Sequence, residues 1–132
     1  MKKHLGLIMV LALVIALDVS LLLSGCGSTP SRSAVILSDS SQVTVEAALG
    51  AWDDYIVQFH PPIERQIAVK QAWEKYRDAQ LLVLDTALIL KEAETAGGNV
   101  ITAKAALNSA IQNAGTTLAD LFTLLRQFGL KL

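Results

Sequence analysis

Between residues 43 and 128 two places stop a helix: Pro61-Pro62 and Gly97-Gly98-Asn99. A proline removes a backbone donor and pushes the residue before it out of the α region. A Gly-Gly-Asn run supplies the left-handed conformation that ends a helix and turns the chain. Each stretch that these breaks bound has helical periodicity. Val45, Leu49, Trp52, Ile56 and Phe59 are spaced 4, 3, 4 and 3 residues apart, which places them on one face. Glu46, Asp53, Asp54 and Gln58 fall away from that stripe, and Ser41 or Thr44 is available to cap its start.

The second stretch is expected to run from Pro62, a suitable first helical residue, to Thr95. Val69, Ala72, Trp73, Tyr76, Val83, Ala87 and Leu90 share a face, while Glu64, Lys70, Glu74, Lys75 and Asp78 stay wet and Glu74 can pair with Arg77. Residues 81–90, LLVLDTALIL, are apolar nearly all round, so they are expected to be sandwiched between helices. They are too short to cross a bilayer and include Asp85.

In the third stretch Leu107, Ala114, Leu121 and Phe128 recur at seven-residue intervals, interleaved with Ala110, Thr117 and Leu124 and widened by Ile111, Leu118 and Leu125. That spacing is the mark of helix-on-helix packing. Gly115 with Thr116-Thr117 is a candidate kink and Gly129 a candidate end. The second and third helices would each be roughly 40–50 Å long at 1.5 Å per residue. The expected fold is all-α: a compact three-helix bundle built on a long antiparallel hairpin. Ala51-Trp52-x-x-Tyr55 returns as Ala72-Trp73-x-x-Tyr76 without matching flanks, so chance explains the likeness and the aromatics are expected in the core.

The N-terminus has another character. Lys2 and Lys3 precede a nearly unbroken aliphatic run from Leu5 to Leu23, the arrangement that sets an export signal's orientation in a membrane. The run is close to the roughly 20 residues of a bilayer-spanning helix. Asp18 within it argues against a permanent span, because a carboxylate deep in the bilayer costs about 2.5–3.5 kcal/mol. Immediately after it stands Leu23-Ser24-Gly25-Cys26, which contains the only cysteine of the chain.

This motif resembles the lipobox of bacterial lipoproteins: an aliphatic residue, two small ones and an obligatory cysteine. The resemblance is confined to the N-terminal segment and extends to no family of the helical part. It implies that the Cys26 thiol receives a diacylglyceryl group, that cleavage falls between Gly25 and Cys26, and that the new amino group is acylated. It thus divides the chain into a signal peptide (1–25), a lipidated cysteine with a tether (26–42) and a helical domain (43–132). Gly27 stands where an aspartate favours inner-membrane retention in enterobacterial lipoproteins, which suggests the outer membrane.

The tether is read from GSTPSRSAVILSDSSQ, residues 27–42, whose Ser, Gly and Pro content is that of a flexible spacer. At about 3.3 Å per residue its 16 residues would reach at most roughly 50 Å. Ala34-Val35-Ile36-Leu37 interrupts it as an apolar patch expected to dock on the folded part. Loss of Lys2, Lys3 and Asp18 with the signal leaves 9 basic and 11 acidic side chains, too few cations for a polybasic lipid or nucleic-acid surface.

Little catalytic chemistry is on offer. His4 lies in the signal, and His60 sits against Pro61 without an oxyanion loop or nucleophile elbow near it. There is no Cys/His cluster for zinc and no Asp-rich calcium loop. Gly97-Gly98 is too short for a phosphate cradle. Asp53 and Asp54 point about 100° apart on a helix, and Glu92 and Glu94 are similarly unsuited to converge. Asp85 differs, being surrounded by apolar residues; an exposed edge, a pair with Lys91 or Arg126, and burial at an interface are all open to it.

The expected function is therefore non-enzymatic. The protein is read as an envelope lipoprotein that needs no cofactor beyond its acyl chains and whose helical module meets another envelope protein, the cell wall or its own copies. The alternative is a carrier that holds an apolar ligand between its helices. The murein lipoprotein offers a loose parallel, although Phe128-Gly129-Leu130-Lys131-Leu132 does not reproduce its basic, wall-linked end.

Overall fold

The computed structural model describes residues 30–132, so Leu23, Ser24, Gly25, Cys26 and the signal lie outside the described residues. Three helices make up nearly all of it: α1 (Pro30–Phe59), α2 (Ile63–Ala96) and α3 (Val100–Gln127). Consecutive helices run antiparallel, with α2 and α3 forming the long hairpin. α1 lies along α2 and meets α3 chiefly through side chains at the Pro61-Pro62 end. The all-α bundle expected from the periodicity is what the chain forms.

Both breaks act where the sequence puts them. His60 leaves α1 with φ +48° while its N–H still donates to the Ile56 carbonyl at 3.0 Å. Pro62 is the residue before α2 and not its first, with φ −51° and ψ 145°. Its carbonyl accepts from the N–H of Arg65 at 3.0 Å. At the other end Gly97 adopts φ +75° and Gly98 N–H reaches back to the Ala93 carbonyl at 3.0 Å, closing the last turn. The Asn99 side chain then accepts from the Thr102 N–H at 3.1 Å and caps α3.

One boundary is corrected. α1 begins at Pro30, so most of segment 27–42 is helix and not spacer, and Ser41 and Thr44 lie inside the helix and cap nothing. The physical reason is an inward-facing stripe that continues the register of Trp52 backwards: Ala48, Val45, Ser41, Ser38 and Ala34, spaced 4, 3, 4, 3 and 4, all buried but the half-buried Ser41. Small side chains on this stripe let α1 lie close against α2. Ala34 is fully buried and Leu37 half-buried, whereas Val35 and Ile36 between them remain exposed, so only one side of the expected apolar patch docks.

The interior divides into two clusters. The first, at the Pro61-Pro62 end, gathers Val45, Ala48 and Trp52 of α1, Val69 and Tyr76 of α2, and Leu121, Phe122 and Leu125 of α3. Tyr55 and Trp73 pack against it, so both Trp-x-x-Tyr pairs converge there. Trp52 stacks on Tyr55 with ring centroids 5.4 Å apart and meets Phe128 at 6.1 Å. Arg65 lies over the Phe128 ring, 5.3 Å from its centroid. The second cluster, near the α2–α3 turn, is Val83, Ala87 and Leu90 against Ala103, Leu107 and Ala110, with Ala34 the one buried contribution from α1.

α3 passes through Gly115 without interruption. The hydroxyls of Thr116 and Thr117 donate back to the carbonyls of Gln112 and Asn113, each at 3.1 Å. The helix ends as expected, with Gly129 at φ +109° and Leu130 N–H donating to the Leu125 carbonyl at 3.0 Å. That turn folds Leu130 into the first cluster.

Candidate functional site

The residues with potential for chemistry are scattered. Asp53, Asp54, Glu92, Glu94 and His60 are all exposed, and they sit on different faces or ends of the bundle. Among the described residues no three His, Cys, Asp or Glu side chains come together as a metal-binding group. Asp85 is exposed and makes no ion pair with Lys91 or Arg126. The ion pairs that do form are local to α2: Lys70 with Glu74 at 3.9 Å, and Arg77 with Asp78 at 3.5 Å. Arg77 therefore turns to its neighbour and to the Trp73 ring, 5.2 Å from its centroid, and not to Glu74.

Between the two apolar clusters lies a closed polar layer. The Gln80 amide donates to the hydroxyls of Tyr76 and Ser41. Tyr76 donates to Ser41 Oγ at 2.9 Å, and Ser41 in turn donates to the Ser38 carbonyl at 2.9 Å. The Ser38 hydroxyl donates to Gln80 Oε1, which completes the circuit. No buried side-chain nitrogen or oxygen among the described residues lacks a partner. Burial pushes the Tyr76 phenol above its ordinary value, while its hydrogen bonds to Ser41 and Gln80 act in the opposite direction. A satisfied circuit of this kind fixes the register of α1 on α2.

Two depressions of about 200 and 430 Å³ lie along the α2–α3 seam and open to the surface. Lys75 and Thr117 line both, beside small residues such as Ala72 and Ala79. Among the described residues no helix is long and apolar enough to cross a membrane.

The surface that stands out is the outer face of α2. Leu81, Leu82, Leu88 and Ile89 are between 45% and 60% exposed, which corrects the expectation that residues 81–90 are sandwiched. One side of this segment, Val83, Ala87 and Leu90, fills the core against α3, but a three-helix arrangement supplies no fourth helix for the other side. The four exposed aliphatics surround Asp85. Leu81 and Leu88 stand four residues before and three after it, Leu82 and Ile89 three before and four after. Asp78 and Glu92, also exposed, stand seven residues either side of Asp85, so a row of carboxylates runs down the middle of an apolar face. Successive carboxylates in the row are about 10 Å apart at 1.5 Å per residue.

Compared with protein-family models, curated proteins and solved structures, the chain matches none. The functional reading therefore stands on the residues themselves.

Proposed function

We propose that this protein is a bacterial envelope lipoprotein, held by acyl chains on Cys26, whose helical body acts by contact with a partner and not by catalysis. The observation that carries the reading is the motif Leu23-Ser24-Gly25-Cys26 directly behind Lys2, Lys3 and the aliphatic run. A diacylglyceryl group and an N-acyl chain supply three hydrocarbon chains, and two already anchor stably at about 0.8 kcal/mol per buried methylene. Gly27 in the position after the cysteine favours the outer membrane over the inner.

The contact role draws support from the exposed aliphatics of α2. Large side chains left in water along a helix face mark a surface used for association. The reading is tested by mass spectrometry of the protein purified from membranes. A mature chain that starts at Cys26, with a diacylglyceryl thioether and an acylated amino group, is the expected result. Cys26→Ser should abolish both modifications and leave the leader uncleaved. A free thiol at position 26 in the native product would overturn the anchor.

A further inference from the structure

The geometry points to a specific kind of partner for the outer face of α2: we propose that the face bounded by Leu81, Leu82, Leu88 and Ile89 binds a cationic amphipathic helix of another protein. The inference rests on the contact role proposed above and names the partner's chemistry; it does not depend on the lipid anchor.

The argument begins with what covers an apolar face. Four large aliphatics half exposed within two helical turns lose free energy to water until something apolar lies on them. The flanking pairs Leu81/Leu88 and Leu82/Ile89 each repeat at seven residues, the spacing at which one helix packs along another. Between them Asp78, Asp85 and Glu92 repeat at the same interval. Of these only Asp78 has an ion pair, a loose and solvated one with Arg77. A helix laid on this face would desolvate carboxylates, which is unfavourable unless it brings cations. Lysines or arginines spaced seven residues apart beside an apolar seam meet both requirements.

The same charges disfavour the α2 or α1 face of a second copy as the occupant. α2 against α2 would place carboxylates opposite carboxylates or leucines. The outer face of α1 has the same sign, since Asp39, Glu46 and Asp53 accompany its exposed Ile36, Val43 and Val57. An anionic lipid surface would be repelled by the carboxylate row.

The test uses the full chain as purified from membranes, lipidated or not, held in zwitterionic phosphatidylcholine nanodiscs if acylated and free in buffer if not, with protein-free samples as blank. The probe is a synthetic amphipathic helix with a leucine seam and flanking lysines, labelled for fluorescence anisotropy; a second peptide has glutamates in place of the lysines. The lysine probe is expected to bind, and more weakly as salt rises. Asp85→Lys, and separately Leu81→Ser with Leu88→Ser, should each weaken binding about tenfold or more, a loss of about 1.4 kcal/mol. Asp85→Asn, which keeps the side chain's shape, should give a smaller loss. Val43→Ser on α1 should change nothing. All four positions are exposed, so circular dichroism and thermal melting should show each variant folded. Failure of the lysine probe to bind, equal binding of the glutamate probe, or full affinity in the α2 variants overturns the proposal. So does sedimentation showing a self-associated protein that Leu81→Ser with Leu88→Ser dissociates. The Cys26 result is read independently, so loss of either conclusion leaves the other standing.

Discussion

Tyr76 shows what a single side chain does in this fold. Its ring belongs to the first apolar cluster, while its hydroxyl enters the polar layer shared with Ser41 and Gln80. Tyr76→Phe keeps the ring and removes the hydroxyl, leaving the Gln80 amide and Ser41 each short of one contact. A cost of about 1 kcal/mol is expected from urea unfolding at neutral pH. The phenol also couples stability to alkaline pH. Its pKa is raised in the folded state by burial, so the contribution is fully present below the ordinary value of 10.0. It is lost as pH rises through the folded value, because ionisation is harder inside the protein than in the unfolded chain. Unfolding curves taken on both sides of pH 10 should therefore show the wild type losing stability where Tyr76→Phe loses less. A parallel loss in the two proteins would detach the effect from Tyr76.

The helix boundaries are the element-scale features that sequence reading recovers well, because each break has a local cause. Gly97 holds φ +75° with open space around its α-carbon, so Gly97→Ala meets no clash and pays only for the left-handed backbone, about 1–2 kcal/mol. Asn99→Ala removes the α3 cap and should cost about 0.5–2 kcal/mol. The two residues share one turn, so the double variant should depart from the sum of the singles in chemical denaturation. The start of α1 was illegible for the opposite reason. Ser38 and Ser41 read as linker composition, yet they occupy the inward-facing stripe and spend their hydroxyls on Gln80, Tyr76 and a backbone carbonyl. The legible signal was the spacing from Ala34 to Trp52, which composition hid. Residues 81–90 mislead in the other direction: their hydropathy is uniform, and only the number of helices decides which side is covered. The outer face of α2 could thus be read as apolar from the sequence, but not as exposed. That α1 stops before Pro61 is legible from the proline pair, although the φ of +48° at His60 is not.

At the scale of the whole molecule the two clusters divide the work unequally. Near the α2–α3 turn the core belongs to the hairpin, with Ala34 as the single buried side chain from α1. At the other end Val45, Ala48 and Trp52 of α1 interlock with both remaining helices. The first half of α1 is therefore held by one small side chain and the polar layer, while its second half is held by an aromatic core. Local opening should follow that division. Native-state hydrogen exchange is expected to show the amides of residues 34–43 opening at least about tenfold more often than those of 83–90 and 103–110, a difference of about 1.4 kcal/mol or more. Amides of 45–56 should resemble the hairpin. Trp52→Ala should separate α1 as a whole from the hairpin. It removes the main attachment of α1 at a cost of about 3–5 kcal/mol, and should raise exchange along α1 while the second cluster keeps its protection. Uniform exchange across α1 and the hairpin would mean a single cooperative unit, in which the polar layer couples the two clusters and does not merely divide them. The distinction bears on function, since the outer face of α2 lies on the hairpin and would keep its shape while the first half of α1, the part nearest Cys26 in sequence, opens and closes.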